Sequence, residues 1–542
     1  MNVTLPERLP RSMSRCLLVS ALLLVGTVGL VRAADWPMFR HDPGRTAATD
    51  GALAPVLHLR WARRFPELVP AWLGEFPHLR FDEQYEPIVA GKLLYLASSD
   101  DDSVSAYDTE TGKRLWRFYA NGPVRLAPVV ADGRVTFGAD DGVCYCLDAA
   151  TGVLLWTYDA YPEARRGFIE GRLASVLPIR GAPLAVDGLV HFAAGIWSFE
   201  DASFFTLNPV DGSVVRTYKD RRSQGYISAV GPWLCLPNGR ASVVRLSRQT
   251  GAWAGGMGGW AGYWDHLVAG NDEWIVRMGA LQRLSKEPKG TVCDPGAGRT
   301  ETCFYRPILT EETIYFSAAK PVVPRIDKIG PEISDVVACS LVDPAKVECV
   351  DKDGNAMKDS RGKPRTKLVL SELWRLPKEE IVAALKETTE PAGKRACVIL
   401  ELKAGNRLYG YRGSTVFGID IPNATAPARV TWTATVKGTP ARMVAADGKL
   451  FVVTRQGRLY CFGGTAVSEP TRYPLEEHEL AQTDDDLGQK AQQILDAGGA
   501  TDGYCLVLGL RDGRLVEELF KRTQMHIIAI SVHIHRDDVH LC

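Results

Sequence analysis

Residues 351–355 of this chain read Asp-Lys-Asp-Gly-Asn, with oxygen-bearing side chains at alternate positions as in a calcium loop. Ala356 stands where such a loop needs glycine and no Glu occupies its twelfth position, so the segment reads as a solvated turn. His58, His78, His191 and His266 are isolated and read as packing or surface residues. Cys144-Tyr145-Cys146 puts two thiols on one face of a strand. No CxxC or CxxCH follows anywhere, which removes zinc-ribbon and covalent haem readings. Cys293 with Cys303 and Cys339 with Cys349 are spaced either for local disulfides or for free thiols, and both readings stay open. His533, His535, His540 and Cys542 are ligand types on a terminal tail without a packed surrounding, and metal binding is not expected there. Gly255–Trp264 (GGMGGWAGYW) is apolar, flexible and aromatic, suited to a bulged packing strand or to a flat ligand.

The elements that must position these residues are repeats. Residues 102–118 (DSVSAYDTETGKRLWRF) return 40 positions later at 142–158 (GVCYCLDAATGVLLWTY). The unit recurs more weakly at 203–218, where Arg216 takes the Trp place, and at 242–253 (SVVRLSRQTGAW). Alternating apolar residues make a strand, the Asp-x-x-Thr-Gly turn reverses the chain through a glycine at positive φ, and the next strand carries Trp. Upstream segments 87–97, 128–138 and 183–193 each read as two strands joined by a Gly turn. Four short antiparallel strands per 40 residues are one propeller blade, which buries its faces only against other blades. The pattern returns at 430–462. Residues 36–465 are therefore expected to form a mostly β fold, a propeller of about seven or eight four-stranded blades with the chain ends brought together. Insertions at about 161–179, 285–303 and 351–395, the last with a helical pattern from Lys378 to Thr388, are expected to decorate one rim.

Composition narrows the partners. Lys plus Arg total 64 and Asp plus Glu total 64, so no net field favours nucleic acid. Arg8, Arg11 and Arg15 precede the apolar run Cys16–Leu30, and Val31-Arg32-Ala33 offers a cleavage site. Residues 1–33 read as a signal peptide, the mature chain as periplasmic or secreted, monomeric, and without a transmembrane segment.

The turns Asp108–Gly112 with Trp116 and Asp148–Gly152 with Trp156, together with Asp35-Trp36-Pro37-Met38-Phe39-Arg40-His41-Asp42, resemble the quinoprotein or PQQ-like propellers, among them quinoprotein alcohol dehydrogenases and BamB-like outer-membrane assembly factors. The resemblance implies that the Trp residues dock between blades. It also implies, for a dehydrogenase, a cation such as calcium beside the quinone, a carboxylate base, and aromatic and arginine contacts to a tricarboxylate cofactor. Arg180, Trp260 and Trp264 would be those contacts, but no adjacent Cys-Cys pair or haem domain accompanies them and no catalytic residue is assigned. The expected function is a binding or scaffold propeller of the cell envelope with a protein or carbohydrate partner, no cofactor being certain. The alternatives are a PQQ-dependent oxidoreductase using calcium and a truncated member of a propeller/methyltransferase fusion family.

That last alternative rests on the chain end. After an acidic, helical linker at 466–502, residues 503–542 read strand, turn, helix, strand. Gly509 and Gly513 sit in the turn, and the segment resembles the first motif of S-adenosylmethionine-dependent methyltransferases. Ser531-Val532 replaces the acidic residue that would hold a ribose, so the segment is expected to be a Rossmann-like fragment from a truncated or frame-shifted longer form, without useful cofactor affinity.

Overall fold

The computed structural model describes residues 34–71, 82–169, 172–196, 201–238, 241–256, 268–277, 280–284, 305–319, 333–351, 353–358, 362, 364–385, 397–476, 485–510 and 513–530. The signal-like segment, His78, His266, Cys293, Cys303, Trp260, Trp264 and residues 531–542 lie outside them.

Local chemistry makes each hairpin. Asp108 Oδ1 accepts from the Thr111 backbone N–H (2.7 Å) and Thr111 Oγ1 (2.6 Å), Asp148 does the same with Thr151, and Gly112 and Gly152 take φ of 75° and 73°. Asp132-Gly133, Asp187-Gly188 and Asp447-Gly448 close the preceding hairpins with both residues at positive φ, the combination that matches strand twist. In blade 1, strands Ile88–Ala90, Leu93–Ser98, Ser103–Asp108 and Arg114–Tyr119 pair in sequence order. Blades 2, 3 and 4 repeat this over 129–159, 179–219 and 228–256. Blade 5 (269–283) shows three strands among the described residues, and blades 6 and 7 span 305–376 and 399–435. Blade 8 joins 440–463 to His58–Arg64, its outermost-but-one strand, so the two ends of the domain lock together. The result is an eight-bladed β-propeller, in line with the expected architecture.

Blades dock through the repeat's aromatic residue. Trp61, Trp116 and Trp156 each donate their indole N–H to a turn carbonyl of the next blade, at Thr109 (3.0 Å), Ala149 (3.2 Å) and Pro209 (3.0 Å). A Cβ on Gly112 or Gly152 would lie 2.6 Å from the ring of Trp61 or Trp116, so glycine at these turns serves packing as well as φ. Four residues after the turn glycine, blade 3 has Arg216 and blade 4 has Gly255. Tyr218 substitutes in blade 3, its hydroxyl donating to Thr250 (2.5 Å) over Gly251. Trp253 sits two positions early and is 62 % exposed.

The two insertions that fall among the described residues do not share one rim, and 285–303 lies outside those residues. The hairpin Arg166–Ile169 with Arg172–Ser175 lies between the outer strand of blade 2 and the inner strand of blade 3. The hairpin Ala345–Glu348 with Thr366–Val369 lies between the third and fourth strands of blade 6. In an antiparallel blade these two kinds of connection leave from opposite faces. Helix Lys378–Leu385 follows blade 6 and buries Ile381 and Leu385.

Beyond blade 8, strand Thr471–Tyr473 runs parallel to His58–Arg64. Helix Asp486–Gly498 is capped by Asp485, whose carboxylate accepts from the Gly488 N–H, and by Gly499 in the left-handed region. Tyr504–Leu508, helix Arg514–Arg522 and His526–Ile530 form a parallel strand–helix–strand unit. In helix Arg514–Arg522 Leu519 is buried, whereas the neighbouring Phe520 is 60 % exposed. Glu518 is fully buried as well and paired with Arg514, Lys521 and Arg522.

Candidate functional site

Propeller chemistry is ordinarily placed where the inner strands converge, and here the N-terminal segment 34–49 occupies that place. It circles the axis as a hoop. Its carbonyls at Ala34, Trp36, Pro37, Pro43, Gly44, Thr46, Ala47 and Thr49 accept from Asp447, Val89, Val130, Ala229, Gly270, Leu309, Lys403 and Gly405, which belong to blades 8, 1, 2, 4, 5, 6 and 7. Met38 shares a buried cluster with Leu184 and Val186 of blade 3. So tight a curve needs backbone that few residues adopt: Arg40, His41, Arg45 and Ala47 all have positive φ. Gly44 lies where any Cβ would strike the Gly270 carbonyl. Arg45, 1 % exposed, ties the hoop inward by donating to the Phe39 (2.9 Å) and Ile227 (2.7 Å) carbonyls. Phe39 stacks on Tyr226 at 3.6 Å between centroids.

Above the hoop lies a charged cluster on the axis. Arg40 donates to the Arg45 (3.0 Å) and Pro307 carbonyls. Arg306 of blade 6 pairs with Glu401 of blade 7 (3.5 Å), and Arg442 of blade 8 pairs with Glu86. Burial, with the Arg306 and Arg442 charges, pulls the Arg40 guanidinium down to about 9, and burial pushes the Glu86 carboxyl up. The space left among Trp36, Phe39, Arg40, Glu86, Arg306, Glu401 and Arg442 is about 10 Å³, room for about one water-sized sphere.

Arg180, expected as a cofactor contact, lies in the wall between blades 2 and 3. It begins the inner strand of blade 3, 2 % exposed, and its guanidinium is engaged by Asp140 at 2.8 and 2.9 Å. Arg125 bridges the same Asp140 (2.7 Å) to Asp82 (3.0 Å). A buried guanidinium needs a carboxylate, and this one has its partner inside the fold. Gly509 (φ 85°) ends a strand and Gly513 (φ 78°) precedes helix Arg514–Arg522, as a Gly-rich turn requires. Asp351 satisfies its own turn, accepting from the Asp353 and Asn355 N–H groups at 2.9 Å. Cys144, Cys146, Cys339 and Cys349 are free thiols, which closes the disulfide option for the last pair. No group of three metal-ligating side chains occurs among the described residues.

His191 is buried inside blade 3, stacked on Phe204 and 3.0 Å from Thr206 Oγ1. Burial lowers its pKa to about 4. The folded chain thus refuses a proton that the unfolded chain takes up below about 6.5. Stability should fall as pH drops from 6.5 toward 4, by up to about 3 kcal/mol from this group. Denaturant melts of His191→Gln and the wild type at pH 7 and pH 4 should show the variant relatively better at pH 4. A pH-independent difference would contradict this.

The sequence reading missed two concave surfaces. Where Arg216 and Gly255 replace the docking Trp, a groove of about 950 Å³ opens across blades 3 and 4, lined by Asp187, Arg216, Trp233, Arg248 and Trp253. Arg248 is held twice by Asp187, and Arg221 lies over Trp253. A slot of about 230 Å³ lies at the seam of blades 8 and 1, among Tyr85, Asp100, Asp101, Tyr107 and Arg117. Glu476 closes on this seam, paired with Arg63 (3.0 Å) and Arg114 (2.6 Å). The missing Trp at 216 and 255 was the available signal for the groove.

Residues 60–178 match the family model described as outer membrane protein assembly factor BamB. The chain is 27 % identical over 200 residues to the dehydrogenase subunit of the alcohol dehydrogenase (quinone) of Komagataeibacter europaeus, a match that covers 34 % of this chain and 25 % of that protein. Among solved structures it is similar to the quinohemoprotein alcohol dehydrogenase of Comamonas testosteroni, with 15 % identity, 89 % and 88 % of the two chains covered and a TM-score of 0.47. BamB of Moraxella catarrhalis gives 12 % identity, 76 % and 99 % coverage and a TM-score of 0.31. The family-model and relative matches support PQQ-like propeller repeats.

Proposed function

We propose that the chain is an exported binding or scaffold propeller of the cell envelope, holding a protein or carbohydrate partner on its rim rather than a redox cofactor on its axis. The observation that carries this reading is how little room the described residues leave among the axial charges. Three guanidinium groups there match the charge of a tricarboxylate, but Glu86 and Glu401 answer two of them, and about 10 Å³ remains where ligand sites take about 300–1,000 Å³. PQQ does not fit these residues as they stand. Among the described residues a roomier concave surface, about 950 Å³, lies on blades 3 and 4 with a largely exposed Trp, a residue type enriched where binding energy concentrates. The BamB family match supports an envelope scaffold. No helix among the described residues is long and apolar enough to cross a membrane.

The match to a quinone-dependent alcohol dehydrogenase subunit favours the second reading, a PQQ-dependent oxidoreductase. Titration of the purified chain with PQQ and calcium separates the two, because any ligand bound to the folded state raises its melting temperature. The scaffold reading expects no shift and no alcohol-dependent dye reduction. A saturable shift with turnover would establish the oxidoreductase.

A further inference from the structure

We propose that the outer part of blade 8 carries a binding site for a phosphate-bearing ligand, held by Arg64, Arg458 and Arg472. The site is separate from the axis and from the groove of blades 3 and 4, and it does not rest on the scaffold reading. Strand register builds it. Arg64 lies directly opposite Arg458, and Ala62 lies opposite Tyr460 on one side and Arg472 on the other. Residues opposite each other, or two apart on one strand, share a face of the sheet, so the three arginine side chains leave from the same face around the small Ala62. The third of them arrives on strand Thr471–Tyr473, a fifth strand added at the outer edge of this blade. Tyr460 is 6 % exposed and its hydroxyl is already engaged by the Lys437 N–H (3.0 Å) and carbonyl (3.1 Å), so it offers a surface and no competing donor.

Charge and space then name the ligand. A hollow of about 320 Å³ lies among these residues, with Arg63, Tyr473 and Pro474 completing its lining and no carboxylate among the described residues that form it. Arg63 is spent on the Gly112 carbonyl (2.8 Å) and on Glu476 (3.0 Å). The side chains of Arg64, Arg458 and Arg472 have no ion pair or hydrogen bond among the described residues. Like charges facing each other across a strand pair repel, so Arg64 opposite Arg458 is an arrangement that folding alone does not favour. A dianion relieves it. Guanidinium forks match phosphate oxygens, whereas a carboxylate brings a single charge against three cations. The hollow is larger than a bare phosphate and falls within the size of small-molecule sites, which leaves room for the organic part of an ester.

The test compares thermal melts of the full chain at neutral pH in sodium phosphate, glycerol 1-phosphate, sodium chloride and sodium acetate at equal ionic strength, with co-sedimentation on phosphatidylglycerol and phosphatidylcholine vesicles. Phosphate and its ester should raise the melting temperature saturably, by about 2 °C or more over both monovalent salts. Arg472→Gln should raise the concentration needed for half the effect about tenfold, and Arg64→Gln combined with Arg458→Gln should abolish the effect. In chloride these variants should melt no lower than the wild type, because each removes a repulsion, so that lost binding is not lost folding. Sedimentation with the phosphatidylglycerol vesicles alone, absent when all three arginines are replaced, identifies the ligand as a lipid headgroup, and a response to the free ester without sedimentation identifies a soluble phosphate. Equal melting in all four salts together with no sedimentation would overturn the proposal, as would a phosphate effect that survives replacement of all three arginines.

Discussion

A chain beginning at residue 50 will not form the cooperative eight-bladed domain, although every blade strand except the two-residue Ala48–Thr49 added to blade 7, and including His58–Arg64, is still present in it. The hoop removed with residues 34–49 supplies acceptors to inner strands of six blades and to the Asp447 turn of blade 8, and buries Trp36, Met38 and Phe39, each no more than 8 % exposed. At about 1.5–3 kcal/mol per large apolar side chain, before the hydrogen bonds are counted, the loss rivals the whole margin of about 5–15 kcal/mol by which domains are stable. The donors of Val89, Val130, Ala229, Gly270, Leu309 and Lys403 would also be left facing an open axis. Size-exclusion chromatography and circular-dichroism melts should show aggregation or a broad, early transition. A sharp melt coincident with that of the intact chain would contradict the role assigned to the hoop.

Trp61→Ala should be the most damaging single substitution at a blade seam, costing about 3–5 kcal/mol. Trp61 is 1 % exposed, rests on Gly112 and donates to Thr109, and it belongs to the strand by which residues 58–64 close blade 8 against blade 1. Trp116→Ala breaks an interior seam between blades that covalent connection keeps together, and should cost less. Urea denaturation of both variants checks the order. Equal losses would mean that closure by the N-terminal strand adds nothing beyond local packing.

The blades were legible because their signals are local. Asp108 and Thr111 are three residues apart, and the Trp that follows marks the next strand whatever the rest of the chain does. The count near eight and the meeting of the chain ends followed from the period. What the hoop does was not legible, because Trp36-Pro37-Met38-Phe39-Arg40 finds its partners at residues 89, 130 and 307, and nothing local announces a circular path. The pairing of Arg180 was not legible either, because its acid, Asp140, stands 40 residues away and meets it only when blades 2 and 3 pack. In the C-terminal helix the apolar spacing of Leu515, Leu519 and Phe520 gives no sign that Glu518, with three cations, is the buried side chain. At 216 and 255 the departure from the repeat was visible as a missing Trp, and the groove it opens became visible only with the neighbouring blade in place.

The filled axis is tested most directly by crystals of the intact chain grown or soaked with PQQ and calcium. The account predicts that the hoop stays in place, that Arg306–Glu401 and Arg442–Glu86 stay paired, and that no tricyclic density appears on the axis. A PQQ molecule seated there, with Arg40 or Arg442 turned to its carboxylates, would contradict it.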